Sequence, residues 1–446
     1  MNPYQLAQKT NNMQFLRTLF IGILQWQAAI VIKKYKPRIL VVTGSVGKTT
    51  TKDAIYNVLA PHMHVRKSDR NFNNDIGVPL TILGVPTGWR SPLRWMKNIA
   101  HAFWLMVWPC KYPEWLVLEL GIRKPGDMDR LRRWVTPDIV VVSAFGTLPS
   151  HIEFFDDKYG VWDEEARIIE GLKDDGVLIL NHDDEQVMKL RDTYSVRTYT
   201  FGTDEEATIK ADDPRLLYHH DDTRKGLVGI HFHINIDGQT LPVRINGTAG
   251  RSSIYTATAA LTVAHYLSIP MLDAINSLEN GEISKGRMRV LRGIKDTVII
   301  DDTYNASPSA VTNALETMHR VETTGRKIIA LGDMLDLGKH AHEAHQIVGG
   351  QVSEIADYLV TVGTRARAIA EEAIKSGMDE RQVITFDDSQ EAGKHIELLL
   401  APHDVVLVKG SQGIRMERTV KEIMAYPEKA EELLVRQEPE WVEKKV

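Results

Sequence analysis

Residues Arg38–Ala60 read RILVVTGSVGKTTTKDAIYNVLA, and the fold follows from how this stretch divides. An apolar run, Ile39–Val42, stops at Thr43-Gly44. A short loop, Ser45-Val46-Gly47, leads to Lys48-Thr49-Thr50 at the head of an amphipathic helix. Strand, glycine-rich loop and helix together make a cradle for phosphate. Glycines let backbone N–H groups approach the anion, the helix N-terminus favours its negative charge, and a lysine adds a point charge. The hydroxyl of Thr49 is placed to hold Mg²⁺. The full Walker spacing asks for a glycine where Val42 stands, so the stretch carries a shorter Gly-x-x-Gly-Lys-Thr form. Its candidate cofactor-binding residues are Gly44, Ser45, Val46, Gly47, Lys48, Thr49 and Thr50. The competing reading is a glycine-rich turn with a surface lysine. The strand before the loop and the helix after it favour the phosphate site.

The 446 residues suggest about two or three domains. A hydrophobic content of 43% and a charged content of 25% are ordinary for a soluble globular protein. The net charge of −5 gives no reason to expect a nucleic-acid partner. The single cysteine, Cys110, excludes an internal disulfide framework and a multi-cysteine zinc site, and suits a reducing cytoplasm. No cleavable signal is evident. The stretch Phe15–Ile32 is apolar but interrupted by Arg17, Gln25 and Gln27, and runs into Lys33-Lys34. It is too polar for a membrane span. Phe15, Leu19, Ile23, Trp26 and Ile30 recur at helical spacing, so residues 14–34 are expected to form an amphipathic helix. That helix either packs on the protein or makes peripheral contact with a membrane or partner. The tryptophan-rich segment Trp89–Trp115 contains a second apolar patch, Ala102–Cys110, which reads as a lid, a docking face or core.

The expected fold class is α/β. Residues 1–37 form a short N-terminal helical segment. Residues 38–285 form a central P-loop ATP-binding domain with a mostly parallel sheet plus a small antiparallel piece. A Rossmann-like C-terminal domain spans residues 286–446. Continuous apolar runs mark the central strands: Ile39–Val42, Leu116–Leu118, Ile139–Val142 and Val177–Leu180. Gly229–Ile236 alternates and meets a turn signal at Asp237-Gly238, which marks the antiparallel piece. A second series follows at Val298–Ile300, Ile328–Leu331, Tyr358–Val362, Val383–Phe386 and Val405–Val408. The charged tail, Pro427–Val446, reads as helical and then frayed.

Further chemistry gathers at strand ends. Glu119 closes the run LVLE, where a carboxylate points into the crevice beside the phosphate loop and suits Mg²⁺; a strand-end salt bridge is the bland alternative. The polar loop Asn71–Pro79 offers neutral donors and acceptors, or is a capped turn. His151 follows another strand end and suits a metal or phosphate, or is a structural histidine; Asp163, Glu164 and Glu165 on the next helix suit the same site or form a solvated face. Arg287 and Asp302 bracket the first strand of the last domain, and Lys409-Gly410-Ser411 follows its last. The histidines at 340, 342 and 345 do not keep the HExxH register, since Gln346 stands where the second histidine is needed.

Together these stretches resemble the Mur ligase family, the ATP-dependent amide ligases of cell-wall peptide assembly. The resemblance rests on TGSVGKTT (43–50), NFNNDIGVPLTIL (71–83), LVLELGIRKPGDM (116–128), HIEFF (151–155), GRM (286–288), IDDTYNASPSA (300–310), LGDMLDLG (331–338) and VLVKGS (406–411), in family order. It implies that ATP converts a substrate carboxylate to an acyl phosphate, which an amine then attacks. It implies that Lys48 contacts the β- and γ-phosphates, that Thr49 and Glu119 hold a first Mg²⁺, and that Asn74 lies near the γ-phosphate. His151 would help hold a second Mg²⁺, while Arg287, Asp302 and Asn305 would reach the nucleotide from the last domain. The carboxylate substrate would be a small molecule or a nucleotide-linked peptide, and the amine an amino acid or dipeptide, with no nucleic acid. Three departures stand out. Glu165 occupies the position of the family's carbamylated lysine; either its carboxylate supplies the same charge or the second-metal site is lost. Gly250–Thr256 lacks the family's amide side chains. Only 37 residues precede the strand where relatives carry a sugar-nucleotide domain. A folylpolyglutamate-like or cyanophycin-like ligase and a non-catalytic P-loop subunit are the rival readings.

Overall fold

A computed structural model describes residues 3–69, 72–88, 91–146, 149, 152–221 and 224–442. The chain opens with a long helix, α1 (Pro3–Tyr35), which stops at Lys36 (φ 50°) and Pro37. A left-handed residue followed by proline cannot continue a helix. The first strand, β1 (Arg38–Thr43), runs into the glycine loop and α2 (Lys48–Leu59). Then come β2 (Val65–Lys67), α3 (Gly77–Leu83), α4 (Pro92–Val107), β3 (Trp115–Glu119), α5 (Asp127–Arg132) and β4 (Ile139–Val142). These are followed by α6 (Lys158–Ala166), β5 (Val177–Asn181), α7 (Glu185–Thr193) and β6 (Arg197–Gly202). Three long strands, β7 (Ile209–Asp221), β8 (Arg224–Ile236) and β9 (Gln239–Asn246), lead to α8 (Ser252–Tyr266).

All nine strands form one sheet in the order β2-β3-β1-β4-β5-β6-β7-β8-β9. Pairing is parallel as far as β7 and antiparallel from β7 to β9. The small antiparallel piece therefore extends the parallel sheet. The turn at Asp237-Gly238 has positive φ at both residues (48° and 76°), which suits a hairpin. β1 shows why its apolar run is unbroken. Leu40 and Val42 pack with Ile55, Val58 and Leu59 of α2 and with α8, whereas Ile39 and Val41 pack with Leu24, Ala28 and Val31 of α1 and Val78, Leu80 and Ile82 of α3. Alternate side chains leave opposite faces of a strand, so helices on both sides require apolar residues throughout.

The C-terminal part builds a six-stranded sheet from β10 (Arg289–Arg292), β11 (Val298–Asp302), β12 (Lys327–Gly332), β13 (Tyr358–Val362), β14 (Val383–Phe386) and β15 (Val405–Lys409). The order is β10-β11-β15-β12-β13-β14. Only β10 runs antiparallel, against β11. Its sequence, Arg-Val-Leu-Arg, is too short and too charged to announce a strand. The tail carries the expected helical turns at Ala430–Leu433 and Pro439–Val442, its last four residues lie outside the described ones, and the stretch between the turns is held firmly. Leu434 and Val435 are buried, and Arg436 (6% exposed) donates to Glu417 (3.0 Å) and to the carbonyls of Thr303 (3.1 Å) and Tyr304. A buried ion pair with backbone acceptors anchors a segment that composition alone marks as solvated.

Candidate active site

The loop between β1 and α2 is shaped by two glycines. Gly44 has φ of 116°, and a Cβ there would lie 2.5 Å from the Ser143 hydroxyl. Gly47 has φ of 84° and precedes the helix. Residues after β4 hold the loop from beside. Ser45 and Val46 N–H groups donate to the Ala144 carbonyl (2.7 and 3.1 Å), and the Ser143 hydroxyl donates to the Val46 carbonyl (2.7 Å). Thr50 donates to the Gly47 carbonyl (2.9 Å) and turns away from the cleft. Lys48 Nζ bonds the Gly44 carbonyl and sits 3.3 Å from Glu165 Oε1.

Glu165 arrives from the far end of α6. Its backbone carbonyl accepts from the Thr43 hydroxyl (3.2 Å), and its Oε2 accepts from the Ser45 hydroxyl (2.8 Å). The residue is 3% exposed. Its neighbour Glu164 faces elsewhere, accepting from the Met128 N–H (2.9 Å). A 100° step per helical residue separates the two carboxylates.

Glu119 ends β3, next to β1, and is also buried. Oε1 accepts from the Thr49 hydroxyl (3.1 Å) and from Asn73 Nδ2 (3.1 Å). Oε2 is buried with no hydrogen-bond partner, and Lys52 Nζ lies 3.7 Å from it. A buried carboxylate oxygen without a donor is costly unless a cation compensates it. Oxygen donors from a threonine and a carboxylate beside a phosphate loop suit Mg²⁺. Among the described residues no three His, Cys, Asp or Glu side chains converge on one point. His151 lies outside the described residues.

The asparagine loop divides its labour differently from expectation. Asn74 lines the cavity, but its Oδ1 caps α3, accepting from the N–H groups of Ile76 (3.1 Å) and Gly77 (3.0 Å). Asn73 is the residue that touches Glu119. In sequence the two are equivalent neighbours, and only the turn geometry separates them.

Arg287 and Asn305 line the cavity from the opposite wall. The Arg287 guanidinium stacks on Tyr304 (4.1 Å to the ring centre), with Nε buried and unpartnered. Asp302 does not line the cavity. It is 6% exposed, pairs with Lys409 Nζ (2.6 Å) and accepts from the Met288 N–H (3.2 Å). Lys409 also donates to the Asn305 carbonyl (2.9 Å). Asp302 and Lys409 thus brace the wall from behind. Burial lowers the Lys409 pKa, with Asp302 opposing the shift. Beside them Asp301 is fully buried, and desolvation raises its pKa to about 6. His345 is buried and structural: its Nε2 accepts from the Met334 N–H (3.0 Å), and burial lowers its pKa.

The cavity between these walls measures about 1200 Å³. Its lining joins Ser45–Thr49, Glu119 and Glu165 to Arg287, Asn305, Ser411 and Trp441. Arg123, Lys124 and Arg130 add cations, and α1 contributes Thr18, Ile21, Gly22 and Gln25. None of these α1 residues, nor Trp441, stands out in the sequence as a cavity residue. The volume exceeds that of an ordinary small-molecule pocket.

A phosphate loop at the carboxyl edge of a parallel sheet, with a carboxylate on the adjoining strand and a second α/β body across the cleft, defines a nucleoside-triphosphate-dependent enzyme built on two walls. Residues 42–264 match the Mur ligase middle domain, and residues 286–412 match the Mur ligase, glutamate ligase domain. The chain belongs to the Mur ligase family. It is 31% identical over 405 residues to the UDP-N-acetylmuramoyl-tripeptide–D-alanyl-D-alanine ligase of Bacillus subtilis, covering 91% of this chain and 79% of that one. The MurF ligase of Thermotoga maritima, solved in complex with ADP, superposes with a TM-score of 0.73 at 25% identity, over 92% of this chain and 84% of that one. Folylpolyglutamate synthase of Mycobacterium tuberculosis shares the fold, with a TM-score of 0.60 at 13% identity over 87% and 92% of the two chains. This chain is an ATP-dependent, ADP-forming ligase of cell-wall peptide assembly, and the folylpolyglutamate-like, cyanophycin-like and non-catalytic readings fall away.

Proposed function

We propose that the enzyme joins D-alanyl-D-alanine to the terminal carboxylate of a uridine-diphosphate-linked muramoyl tripeptide. The named substrates of its relatives support this reading. So does the cavity, which has room for a nucleotide and a peptide and is lined by Arg123, Lys124 and Arg130, suited to an acidic peptide. The observation that carries the proposal is the pairing of Glu119 with Thr49 and of Glu165 with Lys48 on the floor of one cleft.

In this reading Lys48 and the N–H groups at the start of α2 bind the β- and γ-phosphates, while Ser45 and Val46 keep theirs on the Ala144 carbonyl, and Arg287 and Asn305 contact the nucleotide from the far wall. Thr49 and Glu119 would hold Mg²⁺. Glu165, together with His151, would hold a second ion in place of a carbamylated lysine. An ion held by these residues would supply positive charge to offset that of the phosphates. The residues themselves orient the two substrates and keep water from the acyl phosphate. Asn73 fixes the Glu119 carboxylate, and Asp302 and Lys409 hold the wall that carries Asn305. Residues 1–37, 38–285 and 286–446 are taken as the three functional units.

Placement follows the chemistry. No helix among the described residues is long and apolar enough to cross a membrane. We place the enzyme in the cytoplasm, where ATP is available, with the exposed stripe Leu19–Ile23–Trp26 within residues 14–34 facing outward for peripheral membrane contact. The test is phosphate release with ATP, Mg²⁺, the UDP-linked tripeptide and D-alanyl-D-alanine, with the product read by mass spectrometry. Phosphate release that depends on both substrates is expected. ATP binding without substrate-dependent turnover would overturn the proposal.

A further inference from the structure

Large exposed apolar side chains are concentrated on two neighbouring helices. Of sixteen such residues among the described ones, nine lie on or at the end of α1 and α4: Leu19, Ile23, Trp26, Leu93, Met96, Phe103, Trp104, Val107 and Trp108. The helices are packed side by side. Phe20 meets the Trp95 ring edge-on (4.9 Å), Gln27 donates to the Ile99 carbonyl (3.4 Å), and Lys34 donates to the carbonyls of Leu105 (2.8 Å) and Trp108 (2.6 Å).

Helical geometry makes the apolar residues one surface. On α4 the buried stripe is Asn98, Ala102 and Leu105. Trp95 and Ile99 face α1, and beside them runs the exposed stripe Leu93–Met96–Phe103–Val107, spaced by three, seven and four. Farther round lie Arg94, Lys97, His101, Trp104 and Trp108, with the last two rings stacked at 4.6 Å. On α1 the exposed stripe Leu19–Ile23–Trp26 adjoins the α4-facing residues Phe20 and Gln27. A helix that merely packed on this domain would need one apolar face; α4 has two.

Charge specifies what covers the second face. Residues 1–52 and 76–113 contain twelve lysines and arginines and no aspartate or glutamate. The whole chain carries −5, so the remainder carries −17. Lys33, Lys36, Lys97 and Lys111 are exposed around the patch. An aromatic-rich apolar face rimmed with lysines, where Glu440 pairs with Arg94 (3.0 Å) at one edge, suits an interfacial helix on an anionic leaflet. The opposite flank of α1 (Thr18, Ile21, Gly22 and Gln25) lines the catalytic cavity.

We propose that α1 and α4 together form a docking face for the surface of an anionic phospholipid bilayer, holding the cleft mouth at the membrane. The proposal extends to α4, and to a lipid class, the contact suggested above for residues 14–34. The helices lie in the interface plane, with aromatic rings at headgroup depth and lysines among the phosphates. The test is flotation of the full chain with vesicles of phosphatidylcholine alone and of phosphatidylcholine mixed equally with phosphatidylglycerol. Binding to the anionic vesicles, weakened by salt, is expected. Phe103→Asp combined with Trp104→Asp should lower partitioning roughly tenfold or more, with thermal unfolding unchanged because both side chains are exposed. Lys97→Glu should lower it on anionic vesicles and leave neutral ones unaffected. Equal partitioning to both vesicle types, or none to either, overturns the proposal. So does a dimer in solution that the double variant dissociates while no protein floats. Ligase turnover is measured in parallel, so a vesicle-bound but inactive protein counts against the functional reading alone.

Discussion

Glu165→Ala tests the centre of the site. The carboxylate has both oxygens engaged, at 2.8 Å from the Ser45 hydroxyl and 3.3 Å from Lys48 Nζ. Hydrogen bonds to charged groups contribute about 1.5–3 kcal/mol each. Lys48 is 16% exposed, so water screens little of the pair. Removing the carboxylate therefore frees both the loop serine and the phosphate-binding lysine. It also removes the negative charge proposed to act where relatives carry a carbamylated lysine. We expect kcat to fall roughly 10²–10³-fold, equivalent to about 2.7–4 kcal/mol of transition-state stabilisation. Steady-state phosphate release gives kcat, and ADP titration gives nucleotide affinity. Glu165→Gln keeps the shape and an acceptor for Ser45 but loses the charge, so it should retain ADP affinity better than Glu165→Ala while turning over slowly. Glu165→Lys should regain activity as bicarbonate is raised. Full turnover by Glu165→Ala would refute the role given to this carboxylate.

Lys409→Met should destabilise the C-terminal sheet by about 3–5 kcal/mol in urea unfolding, because Asp302 is left buried and unpaired; adding Asp302→Leu should recover much of that loss. Burial lifts the pKa of Asp301 in the folded protein to about 6, above the ordinary carboxylate range, so its contribution to stability is complete below about pH 4 and is lost as pH rises through 6. Asp301→Asn should thus gain on the parent by about 3 kcal/mol between pH 4 and pH 7, and parallel stability curves would contradict the assignment. Asn73→Ala should lower kcat with little effect on unfolding, whereas Asn74→Ala should cost about 1 kcal/mol of stability through its lost cap.

Much of the fold was legible because it is written in local patterns. Ile139–Val142 was read at its observed bounds, and the strand ends at Val42 and Leu118 were found within a residue. β10 escaped because two arginines flank two apolar residues, and its strand exists only through pairing with β11. The tail escaped for a similar reason. Arg436 reads as a solvated charge until Glu417 and two carbonyls enclose it. At the site, Glu119 was singled out by its place at a strand end, whereas Glu165 reads as a solvated helix face until the family resemblance points to it; the structure buries both beside the phosphate loop. Asp302 was expected to face the nucleotide and instead pairs with Lys409, which lies 107 residues away in sequence.

The sequence by itself determined the phosphate loop, the parallel sheets and the ligase family. Each depends on short-range chemistry: glycines where φ is positive, apolar runs where both faces are covered, and a lysine at a helix start. Only the tertiary structure decided which carboxylate turns to the loop and which asparagine reaches Glu119. It alone showed that α1 is both cleft wall and neighbour of an exposed aromatic face. Those outcomes depend on side-chain direction and on contacts between distant segments, which residue spacing along the chain does not encode.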